Sequence, residues 1–209
     1  MMLGFIGTGA VAAAFGAVFY ANLPTKYTLG HVVPTVKYLA EGNLRLVQKG
    51  TDILTAEPIK ASELFEKGPT LLAVIRRPGC KLCRNEAQQL SNLKDKLDKK
   101  GVQLIGVVHE VKGVEEFQPY LKGPVYFDQD KHFYGPNQRW LPIWMGFLRV
   151  GTYVNVYKTR HVKGNLEGEG RLLGGVYLIK DGEMVFAHLE KEWGDAADPK
   201  EIEKAIDRL

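Results

Sequence analysis

Cysteine is the scarcest informative residue in this 209-residue chain: there are two, Cys80 and Cys83. Two cysteines exclude the disulfide framework that holds small secreted domains together. Neither a second Cys-x-x-Cys nor a His-x₃₋₅-His spacing occurs among the five histidines, His31, His109, His132, His161 and His188. A dedicated zinc site therefore lacks half of its ligands, and no metal or cofactor is expected. Strong charge of either sign is missing too, the net being +4. There is no basic stripe with interleaved aromatics, so nucleic acid is not an expected partner. Repeats and low-complexity tracts are absent.

The first 25 residues, "MMLGFIGTGAVAAAFGAVFYANLPT", carry no charged side chain, and the first is Lys26. An uncharged apolar stretch of this length is a membrane-anchor candidate. A cleaved signal peptide is the rival. It wants a basic start and a small-x-small cleavage site. Phe19-Tyr20-Ala21 is a poor one, and Ala14-Phe15-Gly16 lies inside the run. The reading is an anchor over 1–24, a linker over 25–45 and one domain over 46–209. Lys26, Lys37 and Arg45 follow the run and nothing basic precedes it, which favours a cytosolic domain. Endoplasmic reticulum lumen or secretion is the alternative if the segment is a signal.

Along the chain, a helix is expected near 34–41 and a short hairpin after it, turning at Lys49-Gly50. A helix over about 60–67 ends at Gly68-Pro69. "TLLAVIRR" is a continuous apolar run and fits a strand buried on both faces. Leu82, Ala87, Leu90, Leu93 and Leu97 mark one amphipathic helix over 81–100, stopped by Gly101. "VQLIGVVHE" is a second buried strand, followed by a helix over 113–121 and a short strand near 124. Residues 137–173 read as an irregular aromatic and basic insertion, with "GNLEGEG" as a flexible loop. "GGVYLIKDGEMVFAHLE" is a hairpin turning at Asp181-Gly182. Asp198-Pro199 starts a last helix. The order is β-α-β-α, an insertion, then β-β-α: an α/β thioredoxin-like fold with βαβ and ββα halves.

The cysteine pair falls where the first core strand turns into its helix. A cysteine at a helix N-terminus faces unpaired N–H groups and the positive end of the dipole, and both favour thiolate. Arg76, Arg77, Lys81 and Arg84 are candidates to add to that effect. Neighbouring strand residues diverge, so at most one of Arg76 and Arg77 points at the sulfur. Arg77 and Lys81 are taken as the inward candidates and Arg76 as the one on the other face. Cys80 leads the helix and is the candidate nucleophile. Cys83, one turn in and expected to be more buried, is the candidate resolving thiol. Two buried structural cysteines, or half of a zinc site, are the competing readings.

Further motifs, "AVIRRPGCKLCRNEA", "FYGP", "GFLRVG", "GNLEGEG" and "LLGGVYLI…EKEWGD", resemble the peroxiredoxin-like 2A family of redox-regulatory proteins. The resemblance covers most of the chain. It implies antioxidant activity through a redox-active Cys-x-x-Cys at Cys80 and Cys83, in the cytoplasm or the secretory pathway. Protein thiols and disulfides, with a reductant system, are the implied partners. Two positions depart from related patterns. In the peroxiredoxin motif Pro-x-x-x-Thr-x-x-Cys, Ala73 and Arg77 replace the proline and threonine, so efficient direct peroxidase action is not expected. Where thioredoxins carry a cis-proline, this chain has Gly174-Gly175, expected to let a partner's backbone approach. The alternative function is a non-catalytic redox-sensing adaptor that binds a partner through the insertion. Its aromatic and basic residues also suit a membrane surface.

Overall fold

A computed structural model describes residues 2–50 and 52–209, with side chains from residue 9 onward apart from Thr51. Helix α1 (Met2–Ala21) precedes α2 (Val36–Ala40) and the strands β1 (Asn43–Leu46) and β2 (Ile59–Lys60). Then follow α3 (Ala61–Phe65), β3 (Thr70–Ile75), α4 (Lys81–Ser91), α5 (Lys94–Lys99), β4 (Gln103–Val108), α6 (Val114–Phe117) and β5 (Val125–Phe127). Helices α7 (Ile143–Leu148) and α8 (Val150–Lys158) lead to the hairpin β6 (Gly175–Lys180) and β7 (Glu183–Leu189), and α9 (Pro199–Asp207) closes the chain.

The sheet order is β2-β1-β5-β4-β3-β6-β7. β3 sits inside it, parallel to β4 and antiparallel to β6. Every residue of β3 is buried, as its unbroken apolar run requires. Alternation then divides it. Leu71, Ala73 and Ile75 pack with α4, α5, α6 and α9, whereas Leu72 and Val74 pack with α2 and α3. The two helical layers give the α/β thioredoxin-like architecture that the element order predicts. At the hairpin turn, Asp181 (φ 50°) and Gly182 (φ 79°) are both left-handed, as a two-residue primed turn demands. Asp198 caps α9 by accepting from the Lys200 N–H at 2.9 Å.

Several local expectations are corrected. The helix over 81–100 breaks in two at Asn92. The Ser91 hydroxyl donates to the Ala87 and Tyr120 carbonyls, competing with the helical ladder there. Lys49-Gly50 is not a tight hairpin turn, because β2 begins only at Ile59. Residues 25–45 are more than a tether, since Leu39 and Leu44 are fully buried. The insertion is not irregular, for it contains α7 and α8. The N-terminal segment is helical, but a membrane-crossing anchor is not confirmed: among the described residues no helix is long and apolar enough to cross a membrane. Glycine and alanine make up much of that run. Its C-terminal end is fixed to the domain. The Asn22 side chain donates to the Leu148 carbonyl at 2.8 Å and accepts from the Val150 N–H at 3.0 Å.

Candidate functional site at Cys80 and Cys83

The strand β3 ends at Ile75, and Pro78-Gly79 turn the chain into α4. Two side chains fix the backbone at this break. The Tyr134 hydroxyl donates to the Ile75 carbonyl at 2.6 Å, and His109 Nε2 lies 2.8 Å from the Arg76 carbonyl. Cys80 is thereby set as the N-cap of α4, with extended backbone, and Cys83 falls one turn into the helix. Both thiols are free. The two sulfurs share a hydrogen bond. Accepting it from Cys83 pulls Cys80 well below the ordinary thiol value; burial opposes this, and Arg76, Arg77 and the Leu82 N–H assist it. The same bond, with burial, drives Cys83 well above. The two thiols therefore titrate as a pair, in which Cys80 is the one favoured as thiolate. Cys83 was expected to be the more buried; each residue is in fact 4% exposed.

Arg76, not Arg77, meets the sulfur. Its Nη2 lies 3.4 Å from Cys80 Sγ, and its Nε donates to Glu190 Oε1 at 3.0 Å. Burial alone lowers the affinity of Arg76 for its proton, but Cys83, Glu190 and Cys80 more than offset it. The expected division between Arg76 and Arg77 is reversed because the strand has already ended. Bonds at the Ile75 and Arg76 carbonyls, rather than strand alternation, aim these side chains. Arg77 turns to the Leu166 carbonyl (3.1 Å) and Lys81 to the Val156 carbonyl (3.4 Å). Arg84 is buried; its Nε donates to the Pro78 carbonyl at 3.1 Å and buttresses the turn.

Glu190 was not singled out in the sequence, since it lies 114 residues from its partner Arg76. Its carboxylate also accepts from the Gly174 N–H at 3.0 Å and the Gly194 N–H at 3.1 Å. Arg139 donates to the Glu190 and Gly174 carbonyls, closing the arrangement from behind. These contacts correct the reading of Gly174-Gly175. The close backbone approach there is internal, for a Cβ on Gly174 would lie 2.0 Å from the Val74 carbonyl oxygen.

"GNLEGEG" is not a loose loop either. The Asn165 N–H donates to the Gly79 carbonyl at 2.8 Å, and Arg76 Nη1 donates to the Gly170 carbonyl at 3.1 Å. A Cβ on Gly164 would lie 2.4 Å from the Lys81 nitrogen. Residues 164–170 therefore strap across the start of α4. Beside the pair, Glu86 on α4 accepts from the Ala197 N–H at 3.0 Å. Burial first, and Glu190 second, push its carboxyl up to about 7. His188 Nε2 lies 3.3 Å from Asp195 Oδ2 next to it.

Comparison with known proteins bears on the family and the fold. The model of the family described as "AhpC/TSA antioxidant enzyme" matches residues 89–192, beginning just after the cysteine pair. Among solved structures, peroxiredoxin Q of Xanthomonas campestris aligns with a TM-score of 0.54 at 14% identity, covering 85% of this chain and 96% of that one. A Plasmodium vivax 2-Cys peroxiredoxin aligns at 0.51 and 14%, covering 81% and 80%. At such identities the likeness concerns the fold. Peroxiredoxin-like 2A of Mus musculus is 40% identical over 98% of this chain and 93% of its own length. The Homo sapiens protein of that name is 41% identical over 91% and 82%. That similarity extends over both cysteines, the strap and the hairpin, and by it the chain belongs to the peroxiredoxin-like 2A family.

Proposed function

We propose that the protein has a redox-regulatory, antioxidant role exercised by reversible thiol–disulfide exchange at Cys80 and Cys83. The carrying observation is the setting of Cys80: N-cap of α4, hydrogen-bonded by Cys83, with the Arg76 guanidinium 3.4 Å from its sulfur. Those contacts favour the thiolate, which is the nucleophile. In the proposed reaction the Cys80 thiolate attacks one sulfur of a partner disulfide. A mixed disulfide forms and the partner's other sulfur leaves as thiolate. Cys83 then gives up its proton to a leaving thiolate or to water and attacks Cys80 Sγ. The mixed disulfide breaks, the second partner thiolate departs, and a Cys80–Cys83 disulfide remains. Two electrons pass to the partner, and a thiol reductant returns the pair to its starting state. Lys81 and Arg77 add positive potential from the rim.

Direct peroxide reduction is not part of the proposal. Arg77 takes the position at which the peroxiredoxin motif supplies a threonine hydroxyl, and Ala73 is buried within β3. Protein disulfides and a reductant system are the partners this reading requires, in the cytoplasm. Burial of both sulfurs favours one other reading, a non-catalytic redox switch, which oxidises once and does not cycle.

The test is trapping. With Cys83→Ser, mixed disulfides accumulate on Cys80. With Cys80→Ser, almost nothing is trapped. Equal trapping by the two variants overturns the assignment of roles, and absence of turnover with a thiol reductant favours the switch.

A further inference from the structure

We propose that α1, α7 and α8 together form a docking face for an anionic membrane surface, held at one leaflet. The three helices are joined: Tyr20 stacks on Trp144 with ring centroids 6.4 Å apart, and Asn22 bridges the end of α7 to the start of α8. Among the described residues they carry the large exposed aromatics apart from Tyr27 and Trp140. Phe15 and Phe19 are each 72% exposed, Trp144 47%, Phe147 57%, Tyr153 58% and Tyr157 67%. A contiguous apolar area of this kind is rare on a protein with nothing to bind.

Charge identifies the occupant. No Asp or Glu precedes Glu41, and none lies between Asp130 and Glu167. Those two stretches hold Lys26, Lys37, Lys131, Arg139, Arg149, Lys158, Arg160 and Lys163. The chain has 28 basic and 24 acidic residues, so outside these stretches acid exceeds base. The apolar face is thus flanked by the exposed cations Lys26, Lys158 and Arg160, while one carboxylate, Glu192, lies against Gly151 at the start of α8 and faces Arg149. Aromatic rings at headgroup depth beside lysine and arginine are what an interface with anionic lipid selects. The form of α1 favours lipid over a protein groove. It carries no charge anywhere, and nearly all of its described residues are exposed. A groove covers one side of a helix, whereas lipid can cover every side of one that is apolar all round.

The face adjoins the thiol pair. Lys81 donates to the Val156 carbonyl, and Asn155 Nδ2 donates to the Trp193 carbonyl at 3.1 Å, so α8 is shared between membrane side and redox side. Docking therefore sets Cys80 near proteins held at the same surface. The inference does not rest on the exchange chemistry.

The experiment is flotation of the full chain with phosphatidylcholine vesicles and with vesicles that also carry phosphatidylserine, alongside tryptophan emission. Binding to the phosphatidylserine vesicles, weakened by salt and accompanied by a blue shift, is expected. The pair Lys158→Gln with Arg160→Gln weakens binding by about ten- to thirtyfold. The pair Trp144→Ser with Tyr157→Ser, its fold confirmed by near-ultraviolet circular dichroism, floats poorly on either vesicle. Cys80→Ser with Cys83→Ser binds like the native chain, so a failure of the redox reading leaves this result intact. A chain that stays at the bottom of the gradient with both vesicles overturns the proposal. So does one that buries the face in a stable dimer or on an acidic protein and ignores lipid.

Discussion

At the scale of single residues, the question is which group sets the reactivity of Cys80. Arg76 is within reach of the sulfur and Arg77 is turned away from it. Replacing Arg76 with Gln should move the pH midpoint of iodoacetamide labelling of Cys80 upward, measured with Cys83→Ser in place. Arg77→Gln should move it less. An equal shift from both would mean that the guanidinium contact does not set the thiolate. Arg76→Gln has a second effect, since it strips a buried carboxylate of its charged partner, a loss that costs about 3–5 kcal/mol in such settings. Glu86 supplies a stability prediction of definite sign. Its folded value of about 7 lies above that of an exposed glutamate, 4.5. The protonated form is therefore favoured by folding. Its contribution is full below about pH 4.5 and is lost as pH rises through about 7. Glu190, Asp195 and His188 are the charged groups facing it, the first two raising its value and His188 lowering it. Glu86→Gln should raise the melting temperature at pH 8 and leave it nearly unchanged at pH 4. The reverse order would show that Glu86 is held as a carboxylate.

At the scale of elements, the strap over residues 164–170 and the helix it crosses can be tested apart from the charges. An added methyl at Gly164 collides with the backbone nitrogen of Lys81. Gly164→Ala should therefore lift the strap and raise the labelling rate of Cys80 severalfold at every pH, with the midpoint unmoved. A shift in midpoint instead would mean that the strap contributes to the thiolate's stability and not only to its cover. The sequence made the strap look loose because its glycines and glutamates suit a solvated loop. What holds it are backbone carbonyls bonded to Arg76 and Arg77, and such partners leave no mark in the composition. The buried strands were legible for the opposite reason: a run such as "TLLAVI" can satisfy its side chains in few places. Helices α7 and α8 were missed because their apolar residues face outward. No buried stripe of helical period therefore stood out from a polar background.

At the scale of the whole molecule, the fold was legible because its two halves each declare themselves locally. The strand-to-helix turn marked the cysteine pair, and Asp181-Gly182 marked the hairpin. The site was legible only on the half that contains the cysteines. Glu190 and Arg139, which hold Arg76 and Gly174, come from the far half: Glu190 arrives through the antiparallel pairing of β3 with β6 and of β6 with β7, and Arg139 through the pairing of residues 139–141 with 171–173. The proton that Cys80 and Cys83 share has an electrochemical meaning under the proposed chemistry. Between the pH at which Cys80 loses its proton and the higher pH at which Cys83 does, the reduced pair carries one proton instead of two. Oxidation to the disulfide then releases two electrons but a single proton, and it erases a buried negative charge facing Arg76. The midpoint potential of such a couple falls by about 30 mV per pH unit, half the slope of a dithiol that keeps both protons. The guanidinium, left after oxidation with Glu190 alone, makes the oxidised state the one with the neutral core, so that the redox state of the pair is carried as a change of buried charge.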